Sequence, residues 1–373
     1  MEHIDIISYN IQRSRKAMGY SQKQLADKAG LTPLTIGNIE RKVSLPRFSS
    51  LLAIAEALHI KVQVLFEPMK SVESVRFRSK KKLKNRDEII HNSVKWLEDF
   101  SCLEELLSDK IRYQFSNITC DSSSSEDVAK WARKILGYTA NEPVYDICGH
   151  LEDAGIKLKQ YPLPNITFFG LSIKSDNLGN GIIVNTNDII PVERRIFSAV
   201  HELGHLLLHQ NAFRIECLDE DENEEHEADV FAGYFLLPQE GFDKEWNDSY
   251  GYNWIDRVLR VKHVFNVSYK TVLRRLIDMR VADNTIYARF SSGYCEKYGI
   301  RLKFKEEPCI ANDTEPDGIN RFAFMEDRFN RLIREAVEQE KISVSRAADM
   351  LGLTISEMRE LMLGWNHFQE VVA

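Results

Sequence analysis

With 373 residues, 43% hydrophobic and 28% charged, the chain can bury two or three cores and is neither disordered nor fibrous in composition. No apolar run approaches the ~20 residues of a membrane helix, the start lacks a secretory signal, and six scattered cysteines form no CxxC pair; a cytoplasmic protein with reduced thiols and no membrane partner is expected. The net charge of −7 is uneven: residues 1–90 carry 17 Lys and Arg against 9 Asp and Glu, leaving −15 on the rest, so only the first part is expected to meet nucleic acid.

Residues 4–66 read as short helices, with Leu51, Ile54, Ala55 and Leu58 at helical spacing, closing at Phe66-Glu67-Pro68. Within them Ser21 and Gln24 form a capping box. Gly30 ends the first helix, and Thr32 with Pro33 opens the second. Ala26 allows a close crossing, and Ile36 and Ile39 return to the core. Residues 33, 34, 35, 37, 38 and 41 are then expected outward, on a helix suited to a major groove. This grammar resembles the phage-repressor (Cro/CI, XRE) helix-turn-helix over residues 6–66. The resemblance implies that Gln22 and Arg41 or Lys42 hold phosphates and that Thr35 and Asn38 face bases of a double-stranded operator. Pro33 and Leu34 depart from it, since polar readers are common there.

Residues 69–86 are strongly basic and read either as a solvated linker or as an arm contacting phosphates. A helix is expected over 87–118, followed by a serine-rich break at 119–126 that marks the domain boundary. Helices near 127–136 and 143–154 precede strands near 156–161, 167–174 and 181–185, the last two forming a hairpin. Helices dominate 191–278, residues 285–320 read as irregular, and 321–364 are helical again. The spacing of Ser21, Ala26, Asp27, Gly30, Leu31 and Thr32 recurs in Ser343, Ala348, Asp349, Gly352, Leu353 and Thr354. Its second helix offers Glu357 and Glu360 outward, so this echo reads as a structural or protein-binding hairpin.

The chemistry is concentrated in His201-Glu202-Leu203-Gly204-His205. Histidines four apart project from one helix face at chelating separation, and Glu202 can reach a metal-bound water without being a ligand. A third ligand is expected from the helix 224–238. There Glu225 continues the small and apolar side through Ala228, Ala232, Phe235 and Leu236, with Asp229 one turn on as the carboxylate orienting a zinc histidine. Glu227 faces roughly 160° away by the 100°-per-residue rule and is the second choice. His209 reads as a supporting or structural residue, and the acidic loop at 216–222 as a solvated connection. No residue can be assigned from sequence to stabilise an oxyanion; Tyr234, Tyr250 and His263 are available, and each reads more readily as a packing residue. The strand 181–185 is expected to offer main-chain pairing to an extended substrate.

Ile182-Ile-Val-Asn185, Arg195 and Phe197 before the histidine motif, Glu225-x-x-Ala-Asp229 and Phe235-Leu-Leu-Pro238 together resemble the ImmA/IrrE family of metallopeptidases over residues 126–280. The resemblance implies Zn2+ held by His201, His205 and Glu225, Glu202 as general base, and cleavage of a regulatory protein. Asp229 stands where the family commonly has Asn. The expected fold is α+β, mainly α with a small sheet. It divides into a helix-turn-helix domain (1–68), a basic linker with a helical segment (69–125), a zincin-like peptidase domain (126–280) and a helical C-terminal region (281–373). The expected function is a DNA-binding transcriptional regulator, homodimeric on paired half-sites. Its zinc endopeptidase cuts a repressor, an antitoxin-like partner or itself in a stress, phage or toxin–antitoxin response, a toxin being a further partner. The alternative is a repressor or antitoxin whose zinc domain is a non-catalytic sensor.

Overall fold

The computed structural model describes residues 3–18, 20–66, 74–79, 86–116, 124–163, 168–210, 221–302, 319 and 321–372. The chain divides into two compact units, Met1–Val72 with Lys82–Glu98, and Glu73–Lys81 with Asp99–Ala373. No helix of the described residues is long and apolar enough to cross a membrane.

The first unit holds α1 (His3–Ala17), α2 (Gln22–Ala29), α3 (Pro33–Glu40), α4 (Phe48–Ala57), a 3-10 turn at Val62–Phe66 and the start of α5 (Arg86–Leu107). Ser21 Oγ accepts from the Gln24 N–H at 3.1 Å while Gln24 Oε1 accepts from the Ser21 N–H at 2.8 Å, the expected capping box. Thr32 caps α3 by accepting from the Thr35 N–H at 3.1 Å. Ile11, Leu25, Ala26, Ile36 and Ile54 are fully buried between these helices. A buried bidentate pair ties α1 to the end of α3: Arg15 donates to both Glu40 oxygens, at 2.5 and 2.8 Å. Gly37, expected outward, is instead buried, because the side chains of Gln22 and Arg41 fold over it.

The second unit begins with β1 (Ser74–Ser79) and the end of α5, then α6 (Ser125–Ile135), α7 (Ile147–Asp153), β2 (Lys157–Tyr161), β3 (Phe168–Lys174) and β4 (Gly181–Asn185). Helices α8 (Val192–Leu208), α9 (Glu222–Leu236), α10 (Gln239–Asp248), α11 (Trp254–Phe265) and α12 (Tyr269–Asp278) follow. The chain closes with α13 (Ile286–Tyr298), α14 (Arg328–Glu338), α15 (Val344–Leu351) and α16 (Ile355–Val372). The four strands lie in the order β1-β3-β4-β2, with β3 antiparallel to β1 and β4, and β2 parallel to β4. The architecture is mainly helical with a small mixed sheet, and α8 packs against β3, β4 and α9. Its core runs from Leu158, Ile182 and Val184 of the sheet, through Leu203 and Leu207, to Phe235, Leu259 and Phe290.

Four further expectations change. The basic stretch after residue 69 contains a strand, β1, where a linker or a phosphate-contacting arm was expected; residues 80–85 lie outside the described set. Strand β4 is interior, with ladders on both sides, so residues 181–185 have no free edge for a substrate. The helix expected to reach 118 stops at Leu107, where Ser108 takes the left-handed conformation at φ 56°. Residues 286–298, read as irregular, form α13, whose Phe290 and Tyr294 complete the apolar core. Of the serine-rich break, residues 119–123 lie outside the described set, and Ser124 caps α6 by accepting from the Asp127 N–H. Residues 216–220 of the acidic loop also lie outside it.

Candidate metal centre and DNA-binding face

Helix α8 is buried along most of its length because apolar residues fill its faces, and His201, Glu202 and His205 are each fully buried within it. Gly204 sets how close α9 can come. A Cβ there would lie 2.9 Å from Phe231 Cδ1 and 3.4 Å from the Ala228 backbone, so any larger residue would push the two helices apart. That approach carries the first turn of α9 over the histidines. Asp221 caps α9 by accepting from the Asn223 N–H at 2.9 Å, and the acidic first turn suits the positive end of the helix.

Glu225, in that first turn, lies 3.0 Å from His205 Nε2 and 3.4 Å from His201 Nε2, and the two Nε2 atoms are 2.9 Å apart. One ligand atom from each of the three residues lies within 4.8 Å of the others. The other nitrogens explain why these atoms converge. His201 Nδ1 is 2.8 Å from Asp229 Oδ1, so Nδ1 donates and the Nε2 lone pair faces Glu225. His205 Nδ1 is 3.0 Å from His209 Nδ1, and His209 Nε2 is 2.9 Å from Glu227 Oε2. If His209 donates to the Glu227 carboxylate, its Nδ1 accepts from His205, whose Nε2 lone pair is then directed into the same cluster.

Two lone pairs and a carboxylate pointed at one another repel unless a cation lies between them. Donors on a tetrahedral zinc at roughly 2.0–2.2 Å would lie about 3.3 Å apart, within a few tenths of an ångström of the spacing here. The residues fit the ion. Burial pulls the Glu225 carboxyl up, but positive charge at the two Nε2 positions, carried by protons when no metal is bound, outweighs it and holds the carboxyl below the usual carboxylate range. A bound cation would act in the same sense.

Glu202 follows His201 on α8, and its carboxylate lies beside β3. A Cβ on Gly170 would be 3.2 Å from Glu202 Cγ and 3.3 Å from Oε1, so a larger residue there would require that carboxylate to shift by a few tenths of an ångström. Of the expected residues, the fold brings His201, His205, Glu225 and Asp229 together, while Glu202 lies on the same helix with its carboxylate beside Gly170 of β3. Glu227 stands behind His209 rather than with the three ligand atoms. Tyr234 lies under the Arg275 guanidinium, 3.8 Å from ring to charge, and Tyr250 is 84% exposed. Arg195 donates to the Ile190 and Asn187 carbonyls and fixes the turn before α8. Gly170 and the pairing of Glu227 with His209 carry no role in the sequence reading, which gives His209 itself a supporting or structural one. A lone glycine inside a strand pattern is the signal that pointed to the first, and the i,i+4 spacing of His205 and His209 to the second.

On the first unit, Leu34 is 68% exposed, Arg41 and Lys42 are exposed, and Thr35 and Asn38 are half-buried. Asn38 Oδ1 accepts from Arg41 at 2.9 Å, and Thr35 Oγ1 is 2.8 Å from Thr32 Oγ1. Gln22, expected to hold a phosphate, donates to Glu40 at 2.7 Å.

Residues 151–277 match the Peptidase_M78 family model, described as an IrrE N-terminal-like domain, and residues 11–65 match a helix-turn-helix family model. No curated protein matches the chain. A helix-turn-helix domain of the DNA-binding XRE type therefore precedes a metallopeptidase-like domain in one polypeptide.

Proposed function

We propose that the chain is a cytoplasmic transcriptional regulator that binds an operator through α3 and hydrolyses a peptide bond of a regulatory protein at the α8–α9 site. The convergence of His201, His205 and Glu225, with Glu202 on the same helix, carries this reading. Zinc held by those three residues would polarise the scissile carbonyl and acidify a water molecule. Glu202 takes the proton from the attacking water and passes it to the leaving amine. Asp229 holds the His201 ring, and the His209–Glu227 link holds the His205 ring. Phe197, 6.4 Å from the His201 ring, contributes apolar surface beside the site.

The substrate class is a repressor or antitoxin-like partner, or the chain itself, because a peptidase joined to a DNA reader is delivered to where such proteins work. A toxin is a further candidate partner, and a homodimer fits a domain that reads paired half-sites. Wild type and Glu202→Gln, both zinc-loaded, should be incubated with a repressor or antitoxin encoded beside the gene and the products read by mass spectrometry. Cleavage by wild type, reduced 100-fold or more in Glu202→Gln, is expected. Equal behaviour of the two proteins would leave a metal-dependent sensor as the function.

A further inference from the structure

We propose that β1, the strand contributed by the basic stretch between the two units, occupies the edge along which an extended polypeptide would enter the peptidase site, so that the chain carries its own substrate-like strand. The proposal rests on the peptidase reading above and concerns what governs access to that site.

Three observations lead to it. Helix α8 packs against β3 and β4 of the sheet. Strand β4 is closed by ladders on both sides, so the outer edge of β3 is the sheet edge nearest the catalytic helix. Secondly, β3 touches the catalytic carboxylate: Gly170 is the residue whose missing Cβ makes room for Glu202. Thirdly, β1 lies antiparallel on that edge, with Val75 opposite Ile173, Phe77 opposite Leu171, and Arg78 opposite Gly170 itself. One strand spacing of about 4.8 Å therefore separates the β1 backbone at Arg78 from the residue that flanks Glu202. The register slips just there, between Arg78 and Ser79.

A polypeptide binding by strand addition needs the N–H and C=O groups of a free edge. On β3 those groups face β1. A substrate from another molecule must therefore displace β1 or find it already withdrawn. Because β1 belongs to the stretch that joins the DNA-binding unit to the peptidase, tension or cleavage in that stretch would change access to the site. Reversible occupation of this kind conserves every covalent bond and requires only exchange of one strand for another.

The test uses the full-length protein. Hydrogen exchange read by mass spectrometry should show the amides of residues 74–79 protected at least tenfold beyond their unstructured rate. Exchange at the unstructured rate would overturn the proposal without any variant. Arg76→Pro together with Phe77→Pro removes two adjacent N–H groups, one of which faces β3 in either phase of an antiparallel ladder. This opened variant should bind a fluorescein-labelled peptide of residues 72–81 at least tenfold more tightly than wild type, and a scrambled peptide of the same composition no better. Equal affinity of opened variant and wild type, with circular dichroism showing both folded, overturns the proposal. If the zinc-loaded opened variant binds the peptide but leaves it uncut, strand occupation stands and the peptidase reading fails. If it cuts the peptide while wild type is slower by tenfold or more, both stand.

Discussion

The two histidines of the candidate centre are supported in different ways. His201 rests on Asp229 directly, whereas His205 rests on His209, which in turn rests on Glu227. A ligand ring with its far nitrogen fixed loses less freedom on binding a metal and is the stronger base. His209→Ala should therefore weaken zinc binding by about 10–100-fold, as measured by competition with a chromophoric chelator. Glu227→Gln, which keeps a hydrogen-bonding side chain but removes the charge, should fall between that variant and wild type. Unchanged affinity in His209→Ala would show that the His205 ring is held by packing alone.

Among the elements, the decisive relation is the approach of α8 to α9. Gly204→Ala would place a methyl 2.9 Å from the Phe231 ring. Helix α9 must then shift or Phe231 must leave its rotamer, at about 1–3 kcal/mol. Lower thermal stability together with weaker zinc binding is expected, because Glu225 moves with α9. A drop in neither quantity would mean that the interface yields without strain. What could be read from sequence follows the same division. The caps at Ser21 and Thr32, the His201–His205 pair and the placing of Glu225 one turn before Asp229 depend on residues three or four apart, and local periodicity reveals such features. Strand β1 was not read, because its pairing joins residues 74–79 to 168–174 across nearly a hundred positions and the basic run around it outweighs the short alternation of Val75 and Phe77 with Arg76 and Arg78. For the same reason β4 looked available to a substrate, since nothing local says that β2 lies on its far side. Helix α13 was missed because its polar and aromatic residues, including Ser291, Ser292 and Gly293, obscure the helical stripe that buries Phe290 and Tyr294.

Over the larger second unit, buried charge ties distant segments together. Lys157 on β2 and Arg328 on α14 both pair with Glu104 at the end of α5, at 2.9 and 2.6 Å. The C-terminal helices are thereby bound to the sheet on which α8 packs. Glu152, close by, accepts from the Arg328 backbone N–H, but burial dominates and pushes its carboxyl up to about 7 from an ordinary 4.5. The folded unit therefore binds a proton more tightly than the unfolded chain. Stability from this group is present below pH ~4.5 and is lost as pH rises through about 7. Glu152→Gln mimics the protonated form, so it should match wild type near pH 4 and exceed it near pH 8 by on the order of 3 kcal/mol. Urea unfolding followed by tryptophan fluorescence at the two pH values reads this difference, and a gap independent of pH would contradict the assignment.

In the proposed centre, His201, His205 and Glu225 hold a zinc ion that Glu202 uses without binding it. Metal content after equilibrium dialysis, measured on the same samples that are assayed for cleavage, tests this most directly. One zinc per chain is expected in wild type and in Glu202→Gln, with cleavage only in wild type, and zinc affinity reduced at least tenfold in Glu225→Gln. Full zinc retention in Glu225→Gln, or loss of zinc in Glu202→Gln, would contradict it.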